Sequence, residues 1–138
     1  IAIGSLSIMP LMGNLSKKYG AGKISIILTF VFGLILPIPL SLSNYSMLLL
    51  VLFFMGLSMG GMDIAMNTAA AVVEEQEDVR IMSSFHGFWS TGMMLGSAIG
   101  SLDKGADFAY TPNMIGVSAV FLLLILLLWS VISPNKEE

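Results

Sequence analysis

The chain has 138 residues, of which 56% are hydrophobic and 11% charged, and it carries a net charge of -3 and no cysteine. Soluble domains carry about 25% charged residues, so this chain has too few polar side chains to cover a soluble domain. The composition therefore indicates an integral membrane protein surrounded by the lipid bilayer. The sequence contains no metal-ligand cluster, cofactor motif, hydrolase motif or nucleic-acid-binding basic patch. We expect no cofactor, no metal and no enzyme activity.

Five apolar segments follow one another along the chain. A helix needs about 20 mostly apolar residues to cross a bilayer, and the predicted spans are residues 1–15, 24–42, 47–73, 81–102 and 114–132. The second span contains Pro37 and Pro39, which membrane helices tolerate with a kink. The sequence predicts an all-α integral membrane fold over residues 1–138, with five transmembrane helices and no soluble domain. Because the chain has no initiator Met and ends just after an apolar run, we expect it to be a fragment.

The loops between these spans predict the orientation in the membrane. One basic residue, Lys104, falls on one side, and the other five fall opposite: Lys17, Lys18, Lys23, Arg80 and Lys136. An excess of Lys and Arg marks the cytoplasmic side, so the loops at 16–23 and 74–80 are predicted to be cytoplasmic. The second of these loops, "EEQEDVR", is acidic, and we expect Asp78 in it to cap the N-terminus of the following helix.

The first of these loops lies within the segment "GNLSKKYGAGK". It resembles the signature loop between the second and third helices of major facilitator superfamily transporters. That signature runs Gly, three residues, an acid, a basic residue, any residue, Gly, any residue and two basic residues. Lys17 stands where the acid is usual and Gly22 where the first of the final basic pair is usual. The residues that match are Gly13, Lys18, Gly20 and Lys23.

By this resemblance the five spans correspond to helices two to six of a twelve-helix fold, as part of its N-terminal six-helix bundle. The first helix and the C-terminal half would then be partners missing from this chain. In that family the basic loop joins a charge network that locks one conformation, and its glycines permit a tight turn.

One charged residue, Asp63, lies inside the apolar span 47–73, with Asn67 four residues later on the same helical face. A charge at mid-membrane costs about 2.5–3.5 kcal/mol on insertion scales, so we expect Asp63 to face the protein interior or a water-filled cavity. Low-dielectric surroundings favour the neutral form of a carboxyl group, and such an acid can bind and release a proton. The alternative is structural: a protonated or paired aspartate that makes an interhelical hydrogen bond.

The segment "MDIAMNTAAAVVEEQEDVRIMSSFHGFWSTG" resembles the fourth and fifth helices of the fucose–proton symporter branch of the same superfamily. The resemblance implies that Asp63 takes the place of the coupling acid and that Asn67 keeps the asparagine of helix four. His86 and Trp89 fall where that branch has polar sugar-binding side chains. Because His and Trp replace amides there, the ligand need not be fucose. The alternatives are a histidine bonded to a neighbouring helix and a Trp in a packed core.

Glycines recur every four residues in two of the spans. They are Gly56 and Gly60 in the third span and Gly92, Gly96 and Gly100 in the fourth. Such stripes let helices approach closely, so we expect both to be packing surfaces. In a transporter the same close packing allows helices to rock during alternating access.

Together these features predict a secondary active transporter in a bacterial inner membrane. It would move a small polar solute, such as a sugar or related metabolite, together with protons by alternating access. Two alternatives stay open. A helical membrane scaffold or assembly subunit would use its polar residues only to lock helices together. A channel would need a continuous polar stripe through several helices, whereas the polar residues here concentrate on two.

Overall fold

The computed structural model describes residues 1–103 and 110–132 of the chain. They form a 3-10 turn, Ile38–Ser41, and five α-helices: α1 (Ala2–Tyr19), α2 (Ala21–Ile35), α3 (Tyr45–Glu77), α4 (Met82–Asp103) and α5 (Tyr110–Ile132). The described residues contain no strand, so the prediction of an all-α fold is confirmed. Lys104 and Lys136, which entered the orientation argument, lie outside the described residues.

The helices continue beyond the apolar segments at both predicted cytoplasmic loops. Only Gly20, with φ 85°, separates α1 from α2, so the prediction of a loop over 16–23 is wrong. Likewise α3 continues to Glu77. Long unbranched side chains such as Lys and Glu favour helices. Lys17 and Lys18 also lie in the last turn of α1, where positive charge is stabilising.

The prolines of the second span end α2 instead of kinking it. α2 stops at Ile35, and the chain passes through the 3-10 turn before α3 begins. Pro39 lies inside that turn, and its missing N–H and fixed φ oppose continuation of an α-helix. The start of α3 is fixed by Asn44, whose Oδ1 accepts hydrogen bonds from the backbone N–H of Ser46 at 3.0 Å and of Met47 at 3.2 Å.

α1 and α3 approach each other closely through small residues. Gly4 of α1 lies against the backbone of Phe53, and a Cβ at Gly60 of α3 would lie 2.6 Å from the Cα of Ser5. The hydroxyl of Ser5 donates a hydrogen bond of 2.9 Å to the backbone carbonyl of Gly56. Because these glycines have no side chain, the two backbones can approach closely, and the interhelical hydrogen bond stabilises that contact.

The core of the described bundle lies between α1, α2 and α3. Met12, Ile24 and Ala65 form one buried cluster, with partly buried apolar side chains packed around it: Ile8, Leu15, Leu28 and Ile64. Because Ser5 meets Gly60 and Met12 meets the later residue Ala65, α1 and α3 run parallel. Their C-terminal ends therefore lie together, and the described basic residues Lys17, Lys18, Lys23 and Arg80 lie at that end.

The last two helices differ in how they are attached. α5 packs on α2, where a Cβ at Gly33 would lie 2.9 Å from side-chain carbons of Phe121 and Leu122. By contrast, every residue of α4 from Ser83 to Ser101 is exposed. α4 therefore meets the bundle mainly through the turn that joins it to α3.

Two described helical stretches, Ala21–Ser41 and Tyr45–Glu77, are long and apolar enough to cross a membrane by length and composition. Asn113–Leu127 is a shorter apolar stretch. The division of the chain into five membrane-crossing spans stays a prediction.

Candidate functional site

An open cavity of about 320 Å³ lies between α1, α3 and α4. All four residues that the sequence analysis singled out for solute or proton binding line this cavity: Asp63, Asn67, His86 and Trp89. They come from two helices that are joined by a short turn. The structure therefore brings the predicted polar residues together in one place.

The α3 wall of the cavity is one stripe of the helix surface. Met59, Asp63 and Asn67 follow each other at intervals of four residues, and Met66 lies beside them. Asp63 is exposed at the cavity and Asn67 is half-buried. Neither side chain has a hydrogen-bond or ion-pair partner among the described residues.

The α4 wall consists of one helical turn. Phe85, His86 and Trp89 line the cavity, and spacings of three and four residues place them on one side of α4. His86 is exposed and makes no side-chain hydrogen bond within the described part of the chain. An imidazole and an indole thus face a carboxyl group and an amide across the cavity.

The α1 wall is the part of the site that sequence reasoning missed. Ser5 and Met9 line the cavity from α1, and Ser5 is held by its bond to the carbonyl of Gly56. Nothing in the sequence distinguishes Ser5 from Ser7, whose hydroxyl bonds only to Ile3 of its own helix. The pairing of α1 with α3 over a separation of about fifty residues decides which serine reaches the site.

In the turn between α3 and α4, the residue that caps α4 differs from the predicted one. Asp78 does not cap α4; it ends α3 in the left-handed conformation, with φ 51° and ψ 39°. The cap is Glu74, whose Oε1 accepts hydrogen bonds from the backbone N–H of Ile81 at 2.6 Å and of Met82 at 2.7 Å. Because α3 continues past Glu74, that side chain lies close to the start of α4 after the chain reverses.

The residues of the predicted conformational loop lie at one end of the bundle but make no charge network among the described residues. Gly13 lies within α1, and a Cβ there would meet no atom of another described element within 4 Å. Gly20 forms the junction, and Lys23 lies in the first turn of α2. The ammonium group of Lys18 lies 5.1 Å from the ring centre of its neighbour Tyr19, a distance that allows a cation–π contact.

The two glycine stripes differ in their surroundings. Gly56 and Gly60 lie directly against α1, where a side chain would collide with Ile1 or Ser5. A Cβ at Gly92, Gly96 or Gly100 would meet no described atom within 4 Å. The structure thus places the first stripe at a helix contact and leaves the second open.

The side chains of the site suit the binding of a small organic molecule. The described residues contain no group of three or more His, Cys, Asp or Glu side chains that could hold a metal ion. The cavity instead combines hydrogen-bonding groups with an aromatic and thioether lining, a mixture found in sites for small organic molecules.

Comparison with known proteins identifies the family. Residues 1–138 match the Major Facilitator Superfamily, and the chain belongs to that family of integral membrane transport proteins. An uncharacterized MFS-type transporter of Yersinia pestis is 33% identical over 128 residues, which cover 93% of this chain and 33% of the relative. An uncharacterized transporter of Sinorhizobium fredii is 36% identical over 107 residues, covering 72% of this chain and 26% of the relative.

A third relative, membrane protein MosC of Rhizobium meliloti, is 33% identical over 96 residues, covering 70% of this chain and 24% of the relative. The chain therefore spans a third or less of the length of the curated relatives it matches. No solved structure matches the chain significantly. The family and the transporter names of two relatives indicate that the chain is not an enzyme.

Proposed function

We propose that this chain forms the solute-binding part of a proton-coupled secondary transporter in a bacterial inner membrane. The observation that carries the proposal is the cavity between α1, α3 and α4, which gathers Asp63, Asn67, His86 and Trp89. The remaining helices of a superfamily fold would complete the transport path by alternating access.

The proposed solute is small and polar, such as a sugar or related metabolite. The cavity volume of about 320 Å³ lies near the lower end of the range of roughly 300–1,000 Å³ for ligand pockets. Asn67 and His86 offer hydrogen-bond donors and acceptors for hydroxyl groups. Trp89 and Phe85 offer flat apolar surfaces for the C–H faces of a sugar ring. The resemblance of this region to the fucose–proton symporter branch supports the same solute class.

Proton coupling is assigned to Asp63. It is the one acid in the apolar segment 47–73, it is exposed at the cavity, and it has no ion-pair partner among the described residues. An unpaired acid in a membrane span is costly, so such a residue is a candidate for a functional role. His86 lines the same cavity, and an imidazole can both donate and accept a proton, so it is the proposed second proton carrier.

The test is the Asp63→Asn substitution in the whole protein, reconstituted in vesicles with a pH-sensitive dye inside. A panel of neutral monosaccharides, including fucose, serves as the probe. We expect one or more of them to drive proton uptake in the parent protein, and Asp63→Asn to abolish that uptake while sugar binding persists. Sugar-driven proton uptake that survives Asp63→Asn contradicts the assignment.

The matched control is Asp78→Asn. Asp78 lies at the end of α3 in the left-handed conformation, which asparagine also adopts readily. This variant makes the same chemical change outside the cavity, so we expect it to keep proton uptake at the parent level.

The scaffold alternative predicts that polar residues bond across helices. Ser5 does so, but Asp63, Asn67 and His86 have no such bond within the described residues. If Asp63→Asn lowers the unfolding temperature and no monosaccharide binds the parent protein, the scaffold hypothesis replaces the hypothesis of a proton-coupled sugar transporter.

A further inference from the structure

α4 carries part of the cavity wall and yet has little packing to hold it. Its residues from Ser83 to Ser101 are all exposed. A Cβ at Gly87, one turn into the helix, would meet no described atom within 4 Å. α4 therefore has little described packing along its length, and its hydrogen bonds to α3 lie at its first turn.

A single carboxylate ties that first turn to α3. Oε1 of Glu74 accepts from the backbone N–H of Ile81 at 2.6 Å and of Met82 at 2.7 Å. The first backbone N–H groups of a helix have no partner within the helix, and the helix N-terminus favours negative charge. Hydrogen bonds to an ionised acceptor are roughly twice as strong as neutral ones. Glu74 is half-buried, whereas Glu75 and Glu77 are exposed.

The bonded groups lie directly before the residues that form the cavity wall. His86 follows Met82 by four residues, which is one helical turn or about 6 Å along the axis. Trp89 follows one turn later and lies on the same side. A change in the direction of the first turn of α4 would therefore move both side chains relative to Asp63 and Asn67.

We propose that Glu74 is the positioning residue of the candidate site. Its carboxylate bridges the turn at Asp78 and sets the direction of α4, which places His86 and Trp89 opposite Asp63 and Asn67. Glu74 does not line the cavity, so it acts on a solute only through the residues of α4. The proposal that this arrangement serves binding rests on the proposed function.

The experiment measures the arrangement of the helices without any ligand. Nitroxide labels are attached to cysteines that replace Thr68 of α3 and Thr91 of α4, both exposed and both bonded only within their own helices. Pulsed electron spin resonance on the whole protein gives the distance distribution between the labels. Glu74→Ala removes the acceptor, Glu74→Gln keeps an acceptor oxygen without the charge, and Glu75→Ala is the matched control.

We expect Glu74→Ala to lengthen and broaden the distance distribution, Glu74→Gln to do so less, and Glu75→Ala to leave it unchanged. Because glutamine keeps the size of the side chain, Glu74→Gln gives an answer even where the alanine variant does not fold. A distribution that is unchanged in both Glu74 variants overturns the inference. So does an equal change in Glu75→Ala, because the effect would then come from loop charge.

The second readout is equilibrium binding of the monosaccharide that drives proton uptake in the parent protein. Glu74→Ala removes the two charge-assisted hydrogen bonds that orient the α4 wall of the cavity. It is therefore expected to weaken the affinity for the monosaccharide by about tenfold, with partial recovery in Glu74→Gln. Unchanged affinity overturns the positioning role. If no monosaccharide binds the parent protein, the proposed function fails, and the label distances alone decide whether Glu74 sets the direction of α4.

Discussion

The α1–α3 pair and α4 carry the same sequence feature and use it differently. Both α3 and α4 have glycines every four residues. Gly56 and Gly60 lie directly against α1, whereas a Cβ at Gly92, Gly96 or Gly100 would contact no other described helix. The candidate cavity therefore has one wall built on a tight helix pair and another wall attached at one end. The difference shows that a glycine stripe predicts the ability to pack closely and does not predict the partner.

The strongest test of this comparison places the same large side chain in each stripe. Gly60→Leu would drive a side chain into the backbone of Ser5, and overpacking of this kind costs about 3 kcal/mol. Gly96→Leu enters open space among the described residues and is expected to change stability by less than about 0.5 kcal/mol. Thermal unfolding of the whole protein in detergent measures both. A loss at Gly96 as large as that at Gly60 would show that another segment covers α4.

The next test compares two methionines. Met12 is 1% exposed in the core between α1, α2 and α3, and Met94 of α4 is 66% exposed. Met12→Ala leaves a cavity and is expected to lower stability by about 3 kcal/mol. Met94→Ala removes a side chain with little burial, and a shift within about 0.5 kcal/mol is expected. Equal losses in chemical unfolding would mean that the two regions are packed alike.

The smallest effect concerns neighbouring aromatic residues on α4. Trp89 is 44% exposed and lines the cavity, while Phe88 is 78% exposed and does not. Trp89→Ala is expected to weaken monosaccharide binding by about fivefold, the equivalent of about 1 kcal/mol. Phe88→Ala is expected to leave it unchanged. Titration calorimetry separates the two, and an equal loss for both variants would remove Trp89 from the binding wall.

The sequence predicts the helices and the polar side of the cavity well, and for physical reasons. The all-α fold class follows from the long apolar segments. The spacing of Asp63 with Asn67, and of His86 with Trp89, places each pair on one face of its helix. A short turn between α3 and α4 then leaves few ways to arrange the two pairs. The structure brings all four residues to one cavity, and their roles stay predictions.

What the sequence does not provide are the contacts that depend on distant pairing or on helix length. Ser5 reaches the cavity because α1 runs parallel to α3, and no local pattern predicts that pairing. Asp78 is the nearest acid before α4 that resembles a cap, but α3 extends to Glu77 and gives that role to Glu74. The length of an apolar segment reflects the thickness of the bilayer. It does not give the ends of the helix, because charged residues such as Lys and Glu can continue the helix beyond the apolar segment.

The one-residue junction at Gly20 has a consequence for how this chain tolerates insertions. When a single residue joins two helices, the rotation of one helix about its axis is fixed relative to the other, because no loop can absorb a change in length. One added residue at the junction would rotate α2 by about 100° about its axis. Ile24 would then leave the cluster with Met12 and Ala65, and an adjacent face of α2 would replace it. The number of residues at this point is therefore as strictly constrained as the identity of a core side chain.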